Sequence, residues 1–530
     1  MAKNVVNCAQ RPPGGCSAAE RMQQQMKRFF ALLFSIIFAA CAFSFVPSGA
    51  AGGTTAQDIT ANCKIRVGGK DADPKLTDKS EFSAVELDNK VISIAASEPI
   101  GGIYIRFGKL PGAWTLNLND GTELKCGKYG ILHEYVSISG DARMLSMSFP
   151  GKFYISEINI LSKGDKLPAF VQNWSAPQGK CDVLLNVCHA GDESLFFAGI
   201  LPDAVDRGAS VQVCYFTNHW ETTSRTHELL NALWTSGITR YPVISPYPDT
   251  MLTRNEAEAL KGLQLRDSSI TYESIVEYET ELIRRFQPEI VITHDENGEY
   301  GHGAHMLASH AVRDAVTSAP DSSKYPSSAN KYGTWDVPKT YIHLLEDNAV
   351  DFDSDRPLEA FGGMTAFKVS QEAMKCHASQ KDTTYYQWLF SADSSAQLAT
   401  YSPRKFGLWR STVGDDTVKK DFYEHTALSG GAAEPTSEPT AEPTEEPTEP
   451  AETQAPVEPT ATPEAITPEP TAEPTADPAE PAEQTAQPAE TQNPSAAVDD
   501  KLPSPVLIAL IILALLAAAG VAIHFIIKYN

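Results

Sequence analysis

The stretch Asp182-Val183-Leu184-Leu185-Asn186-Val187-Cys188-His189-Ala190-Gly191-Asp192-Glu193 runs an apolar strand directly into a polar turn. A near-continuous apolar run of this length suits a strand buried on both faces, as in a parallel sheet. The chain beyond it keeps the same rhythm. Glu193 to Arg207 can form a helix, Ser210 to Phe216 a second strand and Arg225 to Ser236 a second helix, and later Tyr272 to Phe286 reads as a helix and Glu289 to Thr293 as a strand. Strands alternating with helices imply a mainly parallel sheet in an α/β domain. In such open sheets ligands bind beyond the carboxyl ends of strands, so the turns after Val187 and Thr293 are the first places to look for chemistry.

Both turns are rich in donors. The first holds His189 and Asp192, three residues apart, so that both side chains can converge on one point. The second reads His294-Asp295-Glu296-Asn297-Gly298-Glu299-Tyr300-Gly301-His302-Gly303-Ala304-His305, again with two histidines three apart. Three nitrogen and oxygen ligands with one position left open are the arrangement of a catalytic zinc.

These residues also carry a resemblance. His189-x-x-Asp192-Glu193 with Leu195-Phe196-Phe197, Arg225-x-x-Glu228, and Asn297-Gly298-Glu299-Tyr300-Gly301-His302-x-x-His305 resemble the PIG-L (LmbE-like) zinc deacetylase family. His377-Ala378-Ser379-Gln380 and Phe406-Gly407-Leu408-Trp409-Arg410-Ser411-Thr412 resemble later segments of its bacterial members. The likeness covers residues 169–425 and implies a Rossmann-like deacetylase domain. It further implies zinc held by His189, Asp192 and His305, and removal of acetyl groups from N-acetylglucosamine-type sugars. His302 would stand beside the metal, stabilising the oxyanion or protonating the leaving amine, while Arg225, Tyr300 and His377 would bind substrate.

Two positions depart from the family pattern. Its first motif reads Ala-His-Pro-Asp-Asp-Glu, and the first of those aspartates is the general base; this chain has Gly191 there. Its second motif ends His-Pro-Asp-His, where this chain has His302-Gly303-Ala304-His305. A positioned base contributes typically about 10² to 10⁴ in rate. Hydrolysis is therefore expected to be weak unless Asp295, Glu296 or Glu299 substitutes, and an aspartate restored at residue 191 is expected to raise it. The alternative is a catalytically weakened or inactive relative that binds envelope or incoming glycans.

Before this domain, residues 57–163 show short alternating strands: Val91 to Ala95, Ile103 to Phe107, Trp114 to Leu118, Met144 to Phe149 and Phe153 to Ile160. Turn residues such as Asn119-Asp120-Gly121 separate them, which reads as an all-β sandwich. Leu76-Thr77-Asp78 and the position before an enzyme-like domain make it similar to discoidin-like, galactose-binding jelly rolls, implying a carbohydrate-binding role or a structural one.

The ends differ in kind. Within residues 1–50, Lys27 and Arg28 precede an apolar run from Phe29 to Val46, followed by Ser48, Gly49 and Ala50, the order of a secretory signal peptide. Residues 430–500 form a Pro/Thr/Glu-rich segment holding fifteen acidic residues and no Lys or Arg between Glu434 and Glu490. Such composition cannot bury enough apolar surface to fold, so the segment reads as an extended stalk. Within 504–527, the uncharged run Val506 to Ile527 makes roughly 33 Å of helix at 1.5 Å per residue, enough for a transmembrane span. The expected location is the cell membrane, single-pass, with the body extracellular. Of the net charge of −24, the run from Glu434 to Glu490 supplies fifteen negative charges, which leaves −9 elsewhere, and the acidic balance argues against nucleic-acid binding. At 530 residues the chain exceeds what one core supports. Six cysteines follow the N-terminal segment without dense spacing; Cys63 with Cys126 is the one disulfide worth considering.

Overall fold

The computed structural model describes residues 53–250 and 253–429. The expected signal segment, stalk and membrane span lie outside the described residues. Among the described residues no helix is long and apolar enough to cross a membrane.

The first region contains ten strands: β1 (Lys64–Val67), β2 (Lys70–Asp71), β3 (Val85–Asp88), β4 (Val91–Ala95), β5 (Ile100–Phe107), β6 (Trp114–Leu118), β7 (Glu123–Cys126), β8 (His133–Ser137), β9 (Met144–Ser148) and β10 (Lys152–Ser162). They form a six-stranded sheet, β2-β1-β4-β9-β6-β7, and a four-stranded sheet, β3-β10-β5-β8. Alternation decides the faces. β4 and β6 bury every second residue, placing Ile92, Ile94, Trp114, Leu116 and Leu118 inward. Aromatic rings bridge the two sheets, Phe107 packing on Trp114 at 6.4 Å and Phe149 on Phe153 at 4.9 Å. Leu76 and Thr77 lie in a short 3-10 turn, and the Asp78 carboxylate accepts from the Ser80 N–H and Ser83 hydroxyl, closing its own loop. Cys63 and Cys126 are separate thiols, not a disulfide.

The second region is a seven-stranded sheet built from β11 (Val183–Val187), β12 (Val211–Tyr215), β13 (Val243–Ile244), β14 (Ile290–Thr293), β15 (Lys339–His343), β16 (Ala349–Asp351) and β17 (Lys405–Ser411). Its order is β13-β12-β11-β14-β15-β17-β16. The first five are parallel and β17 is antiparallel to both its neighbours. Every residue of β11, β12 and β14 is buried, which explains their largely apolar character; the exceptions are Asn186, Gln212 and Thr293. The order reverses between β11 and β14, the point where α/β sheets open a crevice.

The helices are α1 (Asp192–Leu195), α2 (Ile200–Asp206), α3 (Thr223–Thr235), α4 (Glu256–Arg266), α5 (Tyr272–Phe286), α6 (Gly303–Ser318), α7 (Pro326–Tyr332), α8 (Ala366–Met374) and α9 (Thr384–Phe390). The single helix expected from Glu193 to Arg207 is two, broken at Gly199. Its φ of +100° lies in the left-handed region, and a Cβ there would meet the Ser354 Cβ at 2.5 Å.

The sandwich and the α/β region meet through a polar network. His133 Nδ1–H donates to Gln172 Oε1 at 2.8 Å, and His133 Nε2 lies 2.7 Å from His227 Nδ1 on α3. The Leu132 N–H donates to the Tyr241 hydroxyl. α3 serves both sides: His227 and Asn231 face the sandwich, whereas Arg225 and Glu228 reach Ala190 and Ser379 at the mouth of the crevice.

Candidate active site

The ends of β11 and β14 bring three donors together. His189 Nδ1 lies 3.1 Å from His305 Nε2 and 3.3 Å from Asp192 Oδ2, and His305 Nε2 lies 3.4 Å from Asp192 Oδ2. Ligands at 2.0–2.1 Å around a tetrahedral ion are separated by about 3.3 Å. The three donors are already at that spacing. His189 and Asp192 arrive on the turn after β11, where Gly191 adopts φ +109° and lets the chain enter α1. His305 arrives on the first turn of α6, which packs behind β14.

Two other donor groupings exist nearby, adding Cys188 or His294 to His305. Neither suits a metal as well. The Cys188 thiol lies 3.7 Å from His189 Nε2, whereas the His189 nitrogen that faces His305 and Asp192 is Nδ1. His294 is committed on both nitrogens, Nδ1 at 2.7 Å from Glu299 Oε2 and Nε2 accepting from the Cys188 N–H at 2.8 Å. Burial opposes the charge on Asp192, but His305, His189 and His294 outweigh it and hold the carboxyl well below its usual range.

Glu299 stands behind the triad. Its Oε2 accepts from His305 Nδ1–H at 2.7 Å, and its Oε1 lies 2.6 Å from His343 Nδ1. The bond to Nδ1 fixes the tautomer that leaves the His305 Nε2 lone pair facing His189 and Asp192. Glu299 is therefore a support and not a substitute base. Asp295 and Glu296 fail as bases for the same reason of placement: Asp295 accepts from Asn297, Glu296 pairs with Arg313, and neither lines the cleft.

The cleft beside the triad has a volume of about 340 Å³ and is walled by Phe196, Tyr300, Tyr385, Arg225, Asp249 and Gln380, among others. His302 caps α6, its Nδ1 accepting from the Ala304 N–H at 3.2 Å. Burial, with His189 and His305 adding to it, pushes His302 down to about 3, so the ring is neutral and its proton sits on Nε2. Tyr300 stacks on Tyr385 at 4.3 Å and forms an aromatic wall. Arg225 donates to Ala190 O at 2.8 Å and stands 3.8 Å from Asp249 Oδ2.

His377 is not where a substrate-binding residue must be. It is fully buried, with Nε2 2.7 Å from Glu193 Oε1, and its neighbours Ser379 and Gln380 reach the cleft in its place. Nor is the space beside Gly191 open. A Cβ at residue 191 would stand 2.7 Å from both Nε2 and Oε1 of Gln380. Sequence reasoning missed Asp249, Gln380 and Tyr385. Only Gln380 gave a signal, as the last residue of a quoted motif.

Donors for a metal at the switch point of an α/β sheet, backed by a carboxylate and open on a cleft, define the class of site. Residues 184–316 match the family model PIG-L: GlcNAc-PI de-N-acetylase, and this stretch is a PIG-L domain. A curated relative is 1D-myo-inositol 2-acetamido-2-deoxy-alpha-D-glucopyranoside deacetylase 2 of Saccharopolyspora erythraea, 35% identical over 85 residues, which are 16% of this chain and 30% of that protein. The chain thus spans under a third of that relative's length. Among solved structures, N,N'-diacetylchitobiose deacetylase from Pyrococcus horikoshii aligns at 14% identity over 43% of this chain and 83% of its own, with a TM-score of 0.32. The conserved protein TT1542 from Thermus thermophilus aligns at 16% identity over 44% and 97%, with a TM-score of 0.31.

Proposed function

We propose that this chain is a zinc-dependent hydrolase that removes the acetyl group from an N-acetylglucosamine-type sugar. The observation that carries the reading is the spacing of His189, Asp192 and His305, which matches the edges of a tetrahedral site at the mouth of a sugar-sized cleft. Nitrogen and oxygen donors with no thiolate suit zinc in a catalytic role, where it polarises a carbonyl and activates water. The chain's own residues supply the rest. His302 Nε2–H faces the cleft as a neutral donor for the oxygen on which charge develops. Tyr300 and Tyr385 offer a face for the apolar side of a sugar ring, and the Arg225–Asp249 pair offers a donor and an acceptor for its hydroxyls.

Gly191 favours a second reading, a relative that grips N-acetylated glycans and hydrolyses them slowly or not at all, because no carboxylate stands where the family places its base. We further place the body outside the cell, held by residues 504–527. The apolar runs Phe29 to Val46 and Val506 to Ile527 support this, and the sandwich is then an accessory to a glycan-directed protein.

The test uses the full chain in detergent. Zinc content after reconstitution and amine release from N-acetylglucosamine oligomers are measured for the parent and His305→Ala. Bound zinc with slow amine release, both lost in the variant, is expected. No zinc in the parent sinks both readings; zinc without any amine release leaves the second.

A further inference from the structure

The turn His377-Ala378-Ser379-Gln380 is fastened at three points. His377 bonds Glu193 at the start of α1, the Ser379 N–H and hydroxyl donate to Glu228 on α3 at 2.9 and 2.5 Å, and Gln380 Nε2 donates to Ala190 O. These bonds deliver one neutral carboxamide to the cleft wall beside His189 and Asp192. It fills the space into which a side chain on residue 191 would grow, 2.7 Å from the nearest carboxamide atoms. That distance is shorter than side-chain carbons tolerate, so a side chain on residue 191 can enter only if the Gln380 carboxamide moves aside and gives up its bond to Ala190 O.

We propose that Gln380 occupies the place beside the metal donors that an acidic side chain at residue 191 would hold, and thereby makes the cleft select the N-acetylated sugar over the free amino sugar. The inference rests on the glycan reading of the cleft. With Nε2 donating to Ala190 O, Oε1 is left as an acceptor that suits the N–H of an acetamido group. A carboxylate in that place would attract the ammonium of a free amino sugar; the carboxamide offers that charge no counterion, so the amine loses hydration without compensation. Of the two carboxylates that do line the cleft, Asp192 is turned to His189 and His305, and the charge of Asp249, still able to accept from a hydroxyl, is offset by Arg225 at 3.8 Å.

Two measurements test this on the chelator-treated full chain, where no hydrolysis interferes. The first is a thermal cycle of Gly191→Ala, Gln380→Gly and the double variant. The loss in Tm from Gly191→Ala should shrink by about 2 °C or more once Gln380 is removed; equal losses in both backgrounds overturn the shared-space claim. The second is calorimetric binding of the N-acetylglucosamine and glucosamine trimers. The parent should bind the acetylated trimer at least tenfold tighter, Gln380→Glu should narrow that ratio about tenfold or reverse it, and Gln380→Met should weaken the acetylated trimer without favouring the amine. Binding of both trimers at a ratio that Gln380→Glu leaves unchanged overturns the inference while leaving the glycan reading intact. Binding of neither overturns both.

Discussion

Glu299 Oε2 lies 2.7 Å from His305 Nδ1, so a buried carboxylate stands directly behind the imidazole that faces the donor triad. Such a partner raises ligand basicity and fixes ring orientation, and losing it typically weakens metal binding roughly 10- to 100-fold. We expect that loss for Glu299→Gln, measured by competition with a chelating dye. Unchanged zinc affinity would show that His305 does not depend on Glu299 for its ligand geometry.

His302 touches the cleft but is not one of the three donors. Removing one preorganised donor to a developing oxyanion costs about 10² to 10³ in kcat, so His302→Ala should keep its zinc and lose amine release by that order. A parallel loss of zinc would make it a ligand instead.

An aspartate at residue 191 alone meets Gln380 and a φ of +109°. Gly191→Asp should therefore raise amine release less than the Gly191→Asp, Gln380→Gly double variant, at equal zinc occupancy. A full gain in the single variant would show that the carboxamide yields without cost.

Burial pushes His133 and His227 from 6.5 down to about 3. Between those values the unfolded chain takes up protons that the folded chain refuses, so stability is present above about pH 6.5 and is lost as the pH falls through the window. His302 and His219, both also pushed down to about 3, act in the same direction. The fall in Tm between pH 7 and pH 5 should be shallower in His227→Gln than in the parent. Equal slopes would remove the interface pair from the acid response.

Gly199→Ala forces a side chain into a left-handed residue and to 2.5 Å from the Ser354 Cβ. The backbone alone costs about 1–2 kcal/mol and overpacking adds to it. Denaturant unfolding should show at least that loss, and a neutral result would mean the α1–α2 junction relaxes freely.

Much of this architecture was legible where a local pattern coincided with its environment. Strands Val91–Ala95 and Trp114–Leu118 read to the residue because one face is core and the other solvent. Helix Tyr272–Phe286 read equally well, its start marked by the Thr271–Ser274 capping box. The helix expected from Glu193 to Arg207 failed because Gly199 breaks it where Ser354 and Phe352 press in, contacts that come from over 150 residues away. The donors His189 and Asp192 were visible because they follow closely on the end of β11, whereas His305, twelve residues past β14, was singled out by the likeness of its motif. Asp249 had no such mark. It sits between Pro248 and Thr250 in a loop, and it reaches the cleft only because the two-residue β13 pairs beside β12. His377 was visible as a histidine, but no spacing told that it turns inward to Glu193 while Gln380 turns out.

The helix Thr223–Thr235 grips the sandwich along one stripe and the crevice along the next. That shared use couples the two regions through one rigid element. Any change in the sandwich face must keep its fit to His227 and Asn231 on a helix whose Arg225 and Glu228 hold the mouth of the cleft. Replacing the sandwich would therefore mean refitting this helix as well as β8.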